Sequence, residues 1–438
     1  MRIKTCIARL CFLLIPVAAV NAHATPDIQS WTTEQGARVF FIENQMLPMV
    51  DVRIVFDAAG SRDGELPGLA MLTNGLLAEG AAGMDAQQLA ESFESVGAQF
   101  DNDALRDMAY VGVRTLTNEQ YLSTAISTLA VVLVRPDFPQ DAFERELARM
   151  KVAVEARKQS PSDIAQEAFF KAVYAEHPYA LPSGGTEESL QSITMQDISA
   201  FYSQYYVASN AITVIVGAVD RIAAEGMVDT LFEGLPQGSK PEPLPPVPDL
   251  AQAKTVKVDF PSKQSHIYVG QPGMKRNDED FFKLYVANHP FGGSGFASRL
   301  VQSIREDRGL AYSVGSYFSP MREKGPFMMS LQTRADQTDE ALSLLISELD
   351  KYVSTGPDKD ELEDSVSNIT GSFPLSMDSN SKILGFLAMI GFYDLAEDYL
   401  QTYIDNIRKV DRNAIRDVLK SRIDVDNMVT VIVGNGNG

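Results

Sequence analysis

Nearly the same eight residues occur twice in the chain, as NAITVIVG at positions 210–217 and as NMVTVIVG at positions 427–434. Each copy is a β-branched run that ends in glycine, which predicts a buried strand. Each copy also follows a stretch with helical periodicity, MQDISAFYSQYY before the first and DRNAIRDVLKSR before the second. One helix–strand unit therefore closes each half, and we predict a tandem duplication of a domain of roughly 200 residues. Chance similarity of a single apolar octet is the alternative.

A proline-rich stretch separates the two halves. Six residues of LPQGSKPEPLPPVPDLAQ are proline, which fixes φ and removes backbone donors, so we predict an extended linker over 236–252. The chain has 438 residues, too many for one ordinary core. We therefore expect an N-terminal domain over 25–235 and a C-terminal domain over 253–438.

Each half combines strand-like and helical segments. ARVFFIEN, MVDVRIVFDA and DMAYVGVRTL have strand patterns in the first half, and TVKVDF, SHIYVGQP and PFMMSLQTR are their counterparts in the second. Helical periodicity is clear in AFERELARMKVAVEARKQ and TDEALSLLISELDKYVSTG. Because strands follow one another before the helices intervene, we predict the α+β class, with a largely antiparallel sheet and packed helices in each half.

The first residues have the features of an export signal. Arg2, Lys4 and Arg9 precede or border an apolar stretch over 10–20, and an Ala-His-Ala sequence ends at Ala24. This pattern predicts a signal peptide over 1–24, cleaved after Ala24, and a periplasmic protein. The apolar stretch is short for a membrane span, and we expect none after signal removal.

Charge and cysteine content restrict the classes of partner. Both cysteines, Cys6 and Cys11, lie inside the predicted signal, so the mature chain would contain no disulfide, which suits an oxidising compartment. The formal net charge of the full chain is −20. A balance this acidic makes nucleic acid and anionic lipid surfaces poor partners.

The usual signatures of metal, phosphate and nucleophile sites are missing from the sequence. His177, His266 and His289 have no second His or Cys at zinc-ligand spacing, so we interpret them as structural or surface residues. The glycine-rich loop HPFGGSGFASRL, residues 289–300, precedes a helix predicted to start near Phe296. It lacks a following Lys-Ser/Thr, so a tight turn or a close backbone approach to a ligand is favoured over phosphate binding.

The segment SIREDRGLAYSVGS, residues 303–316, is the strongest candidate binding site that the residues themselves suggest. A helix is predicted to end at Gly309 and a strand to start near Ala311. Arg305 then lies in the last helical turn and Tyr312 at the strand start, where a charged fork and a phenol can converge on peptide carbonyl oxygens. A helix-capping arginine and a half-buried tyrosine form the structural alternative.

Four segments make the sequence resemble the M16 metallopeptidase family, which includes pitrilysin, insulin-degrading enzyme and mitochondrial processing peptidase. They are GLAMLTNGLLAEG, YALPSGGTEESLQSIT, GFASRLVQSIREDRGLAYSV and GSFPLSMDSNSKILGFLAMIGFYDL, in the family's order. The resemblance covers the mature chain and is strongest with the bacterial two-domain subfamily. It implies two homologous α+β domains joined by a linker.

The resemblance also implies that the zinc site is degenerate. Active members carry H-x-x-E-H after a Gly-Leu-Ala, whereas this chain has Met71 and Gly75 at the ligand positions and Asn74 at the position of the base. The third ligand, a glutamate in active members, falls at Ala153 by counting, with Glu155 two residues on. Methionine binds Zn²⁺ poorly, glycine has no ligand atom and asparagine is no useful base, so we expect no cofactor in this chain.

The substrate-binding signature of the family is present in the second half. Active members bind substrate near the zinc with an arginine and a tyrosine seven residues apart, and Arg305 and Tyr312 match that spacing. Some members divide the two functions between two chains. The resemblance thus implies a non-catalytic, substrate-binding subunit of a heterodimeric zinc peptidase, with zinc in the partner subunit and peptides as substrates. A catalytically inactive scaffold or peptide-binding chaperone is the main alternative, and stand-alone activity with adventitious metal is a further one.

Overall fold

The computed structural model describes residues 27–435, so the predicted signal over 1–24 lies outside the described residues. Thirteen strands occur in that range. They are β1 (Gln29–Thr32), β2 (Arg38–Glu43), β3 (Met49–Phe56), β4 (Gly80–Ala81), β5 (Met84–Asp85), β6 (Gln99–Ala104), β7 (Ala109–Leu116), β8 (Ala211–Gly217), β9 (Lys254–Phe260), β10 (Gln264–Met274), β11 (Ser313–Phe318), β12 (Gly325–Arg334) and β13 (Val429–Asn435).

The same range contains fourteen α-helices. They are α1 (Leu69–Leu76), α2 (Ala86–Glu94), α3 (Glu119–Val134), α4 (Gln140–Arg157), α5 (Pro161–Tyr174), α6 (Glu187–Ser192), α7 (Met195–Tyr205), α8 (Arg221–Phe232), α9 (Phe281–Asn288), α10 (Thr338–Thr355), α11 (Lys359–Ser372), α12 (Asn380–Phe392), α13 (Tyr399–Arg408) and α14 (Arg412–Arg422). Within the part of the chain that the structure describes, none of these helices combines the length and apolar character needed to cross a membrane.

Each half contains one large sheet, and the two sheets have corresponding topologies. The first has the order β1-β2-β8-β3-β7-β6, and the second has the order β11-β12-β10-β13-β9. In both sheets one neighbouring pair is parallel and the others are antiparallel. The predicted α+β class, with largely antiparallel sheets, is therefore confirmed.

The two copies of the repeated octet occupy the same place in the two sheets. Strand β8 pairs in parallel with β2 and antiparallel with β3. Strand β13 pairs in parallel with β9 and antiparallel with β10. Helix α7 precedes the first copy and α14 precedes the second. This equivalence supports duplication over chance similarity of an octet.

Both faces of each sheet are covered, which explains why the octets are apolar without alternation. In the first sheet, Val39 and Phe41 of β2 face the core of their own half, whereas Phe40 and Ile42 face helix α12 of the second half. In return, helix α5 of the first half packs on β10 and β13 of the second. Each half therefore contributes a helix to the core of the other.

The segment between α8 and β9 contains no helix or strand, yet it is attached to both halves. Leu244 and Val247 are buried against α5 and the second sheet. The Pro245 carbonyl oxygen lies 2.8 Å from Nε2 of His177, and Lys324 forms an ion pair with Asp249. The domain and linker boundaries derived from the sequence stay predictions.

Candidate functional site

Helix α1, which carries the zinc-motif positions, begins at a left-handed residue held by a buried carboxylate. Gly68 has φ +96°, a conformation that glycine adopts without strain. The two Asp63 oxygens accept hydrogen bonds from the backbone N–H groups of Gly68 (2.8 Å) and Ala70 (2.7 Å). Burial raises the pKa of Asp63 to about 7, against the effect of these two bonds. Asp63 thus replaces a conventional N-cap, and no spacing rule in the sequence pointed to it.

Asn74, at the position of the catalytic base, is part of a closed hydrogen-bond network. Its side chain is buried, with 1% exposed. Its Nδ2 donates to the Tyr110 carbonyl oxygen and to the Tyr206 hydroxyl, both at 3.1 Å. Its Oδ1 accepts from Nδ2 of Asn102 at 3.0 Å. The amide joins α1 to β6, β7 and the end of α7, and its donors and acceptor are already used within the protein.

The neighbouring motif positions offer no metal ligands either. Met71 is partly buried against the core of the first half. Gly75 has no side chain, and a Cβ built on it would meet nothing within 4 Å. Within residues 27–435, no group of three or more His, Cys, Asp or Glu side chains is arranged to hold a metal ion. The residues present therefore do not fit the zinc that the family motif holds.

Neither of the two candidates for the third zinc ligand is placed to bind a metal at α1. Ala153 and Glu155 are exposed on α4, whose buried residues include Met150 and Val154. The Glu155 carboxylate pairs with Lys158 at 2.6 Å. Whichever of the two occupies the family position, neither adds a carboxylate to α1.

Because the side chain of Asn74 is bonded within the protein, we predict that substitutions at Asn74 and Gly75 change stability. Replacing Asn74 by alanine is expected to lower the free energy of unfolding by about 1–3 kcal/mol, because it leaves buried polar partners unsatisfied. Gly75→Ala, one residue away and in open space, should instead raise it by up to about 1 kcal/mol through helix propensity. Urea unfolding monitored by circular dichroism measures both. An Asn74→Ala variant as stable as the parent would contradict the network's role.

The segment that carries Arg305 in the second half is a short helix with π-type hydrogen bonding, Val301–Glu306. Its C-terminal end closes through bonds from the Gly309 N–H to the Arg305 carbonyl oxygen and from the Leu310 N–H to the Ile304 carbonyl oxygen, both 2.9 Å. Gly309 has φ +63°. The predicted stop at this glycine is thus supported, although the helix proper ends at Glu306.

The Arg305 side chain is 39% exposed and is held by weak contacts. Its Nε lies 3.5 Å from a carboxylate oxygen of Glu306. Its guanidinium lies 5.2 Å from the centre of the Phe296 ring, which is itself exposed. A pair with an adjacent exposed carboxylate contributes little, so the guanidinium remains accessible to a ligand.

Tyr312 follows directly on this turn and precedes β11. Its backbone N–H donates to the Gln332 carbonyl oxygen at 2.9 Å, which extends the pairing of β11 with β12 by one residue. Tyr312 is 55% exposed. Arg305 and Tyr312 thus flank one tight turn, and both have solvent-accessible polar ends.

The glycine-rich loop packs closely on β11. After a single turn at Gly295–Ala297, the helix predicted to start near Phe296 begins at Arg299 and continues into Val301–Glu306. A Cβ on Gly292 would lie 2.3 Å from Oγ of Ser316 and 2.5 Å from its backbone nitrogen. The Ser316 hydroxyl donates to Oδ1 of Asn288 at 2.6 Å. The glycine is required for close backbone packing at this position.

Two of the three histidines examined in the sequence have structural contacts. His177 accepts the Tyr179 backbone N–H on Nδ1, and its Nε2 lies on the Pro245 carbonyl oxygen. The His289 ring lies within hydrogen-bonding distance of Ser365 and Asn368. Burial lowers the pKa of both imidazoles and of His266, which favours their neutral forms.

Two family models match the chain. The insulinase model of peptidase family M16 matches residues 38–187, and the model described as the peptidase M16 inactive domain matches residues 192–369. A Helicobacter pylori protein named non-peptidase homolog YmxG is 27% identical over 402 residues, which cover 91% of each chain. A Bacillus subtilis protein named uncharacterized zinc protease YmxG is 26% identical over 359 residues, covering 81% of this chain and 86% of the relative.

Solved structures give the same result. The crystal structure of a peptidase M16 inactive domain from Pseudomonas fluorescens is 36% identical, with a TM-score of 0.90, and the match covers 93% of this chain and 98% of that one. A protease from Helicobacter pylori shares the fold with a TM-score of 0.84 at 19% identity, over 93% and 99% of the two chains. The chain therefore belongs to peptidase family M16, and the resemblance to its active members puts Met71, Asn74 and Gly75 at the zinc-motif positions.

Proposed function

We propose that the chain is the non-catalytic, substrate-binding subunit of a heterodimeric zinc metallopeptidase. The observation that carries the proposal is the asymmetry between the two halves. The α1 positions have lost every metal ligand, and Asn74 is committed to an internal network. Arg305 and Tyr312 match the residue types of the family's substrate-binding pair, and both are exposed to solvent. A protein with no substrate to bind has no need of such a pair.

In this role the zinc and its general base belong to the partner chain. This chain contributes binding and orientation: the Arg305 guanidinium and the Tyr312 phenol donate hydrogen bonds to substrate carbonyl oxygens. A donor placed where negative charge develops on a carbonyl oxygen stabilises the transition state more than the ground state. Of the two, the phenol is the better placed to do so, because it lies at the start of a strand instead of on a flexible stem.

The N-terminal part of strand β11, next to Tyr312, supplies the surface along which a peptide would lie. It is an edge strand of the second sheet, and it begins directly after Tyr312. Strand β6 has the same edge position in the first sheet. An extended peptide that adds to such an edge is bound mainly through its backbone, so its sequence preference would be loose. Peptides are therefore the substrate class that we propose.

We further propose a periplasmic location, from the predicted signal over 1–24, and a partner that carries H-x-x-E-H. The test is to express the mature chain with such an M16 subunit and separate the mixture by size-exclusion chromatography. We expect a two-chain complex that cleaves peptides, loses activity with chelator and exceeds the rate of either chain alone. An isolated chain that cleaves peptides after chelation would refute the assignment.

The alternative is an inactive scaffold or peptide-binding chaperone, which the name of the Helicobacter pylori relative, non-peptidase homolog, equally supports. The same mixture separates the two proposals. A scaffold would form a complex without changing the partner's rate, or would form none.

A further inference from the structure

The second half contains a cavity of about 650 Å³, lined in part by β11, to which the proposed function assigns no ligand. It lies between α9, the loop that follows it, β11, and the helices α11, α12 and α13. Its volume falls in the range of small-molecule sites. One sequence motif, the glycine-rich loop 289–300, lies in its wall, but the other lining residues come from separate parts of the segments 274–320 and 369–403.

The wall of the cavity is aromatic. It includes eight rings: Phe281, Tyr285, Tyr317, Phe318, Phe373, Phe386, Tyr399 and Tyr403. Several are fixed by one another, since Phe281 stacks on Tyr285 with centroids 5.9 Å apart and Phe373 stacks on Tyr403 at 4.1 Å. Such a wall is preformed and fits an apolar or aromatic body.

One permanent charge, the guanidinium of Arg276, lies in this wall. Its Nε donates to the sulfur of Met389 at 2.9 Å, and Nη2 is directed at the same atom. Its centre lies 4.9 Å from the Phe281 ring centroid. A thioether is a weak acceptor, and no described carboxylate forms an ion pair with Arg276.

The surroundings of Arg276 leave its charge without an anionic partner. Three tyrosines, Tyr393, Tyr399 and Tyr403, lie close enough for the Arg276 charge to lower their pKa values, although burial raises them by more. The guanidinium is therefore surrounded by neutral phenols. None of the described residues that line the cavity is Asp or Glu, although the chain contains 58 acidic residues against 38 basic ones. A half-buried guanidinium with unused donors is well suited to a carboxylate, which it binds bidentately.

From this combination we infer a second binding site: the aromatic cavity around Arg276 binds an organic acid, with the carboxylate on Arg276 and an apolar body against the rings. Two sources have this chemistry, the free carboxyl end of a peptide with an apolar last residue and a fatty acid. The inference does not depend on the partner chain, so it can be tested on the isolated protein.

Calorimetry with two matched pairs of probes tests the site. The first pair is N-acetyl-Leu-Phe and its C-terminal amide, and the second is decanoate and decanamide. At least one acid should bind, roughly 10- to 100-fold more tightly than its amide, because a charge-assisted bond is lost with the carboxylate. Whichever acid binds identifies the source. Equal binding of acid and amide, or binding of neither acid, would overturn the inference.

Two variants and a control locate the binding. Arg276→Gln should abolish the preference for the acid, while Arg276→Lys should retain part of it. An unchanged preference in Arg276→Gln refutes the site.

Ser372→Trp, at the exposed rim, should block binding of both acids without disturbing the fold. This variant tests the site even if Arg276→Gln does not fold. Ser199→Trp is its control, since both serine hydroxyls donate to a helix carbonyl oxygen and Ser199 lies on α7, far along the chain. Undiminished binding by Ser372→Trp would also refute the site.

Discussion

Replacing Arg305 by alanine is expected to lower kcat/KM of the proposed two-chain peptidase roughly 10- to 100-fold, because a charge-assisted hydrogen bond to a substrate carbonyl oxygen is lost. The ion pair with Glu306 and the contact with the exposed Phe296 ring are the interactions that the Arg305 guanidinium makes within residues 27–435. Its removal should therefore cost the chain itself little stability. Initial rates on a fluorogenic peptide, with the partner chain in excess, measure the effect.

The neighbouring Arg308 is the matched control for Arg305. It has the same charge and lies three residues away, and its guanidinium donates to the Ser303 carbonyl oxygen at 2.7 Å. Arg308→Ala should leave kcat/KM within about twofold of the parent value. Tyr312→Phe removes only the hydroxyl and should reduce kcat more than it raises KM. If Arg305→Ala and Arg308→Ala behave alike, the paired roles of Arg305 and Tyr312 are wrong.

The second large effect is expected in stability. Phe169 lies on α5 and is fully buried at 0% exposure. Its ring reaches the second sheet, where a Cβ on Gly270 would lie 3.0 Å from its Cζ, and it packs near Tyr268. Truncation to alanine should lower the free energy of unfolding by about 3–5 kcal/mol, because it leaves a cavity where the two halves meet.

Denaturant unfolding monitored by circular dichroism measures this loss, with Val152→Ala as the control. Val152 is 70% exposed on α4, so its truncation should change stability by less than about 0.5 kcal/mol. If the halves stabilise each other, the Phe169→Ala variant should unfold in one transition, shifted to lower denaturant concentration. A loss below about 1 kcal/mol would show that α5 contributes little to the second core.

The regular elements could be predicted from the sequence where burial imposed a pattern. Strands β2, β3, β7, β9, β10 and β12 and helices α4 and α10 lie within a few residues of their predicted positions. Strand β6 was missed, because four of the six residues of QFDNDA are polar and Asn102 interrupts the face formed by Phe100 and Ala104. The exchange of α5 and α12 between halves was also missed, since periodicity shows that a helix face is buried and not what covers it.

The candidate sites were predictable to different degrees. The missing ligands at Met71 and Gly75 follow from residue type alone. The function of Asn74 does not, because its partners Asn102, Tyr110 and Tyr206 are distant in the sequence. The spacing of Arg305 and Tyr312 was visible, whereas the isolation of Arg276 depends on the absence of acidic neighbours in three dimensions. Long-range proximity of this kind leaves no local signature.

The exchange of α5 and α12 has a mechanical consequence. Duplicated proteins commonly flex where their two copies join. Here, bending at that join would expose apolar surface in two places, because α12 would separate from the first sheet and α5 from the second. We therefore expect the two halves to move together as one unit. In a two-chain peptidase, the gap that admits a peptide would open between the chains and not within this one.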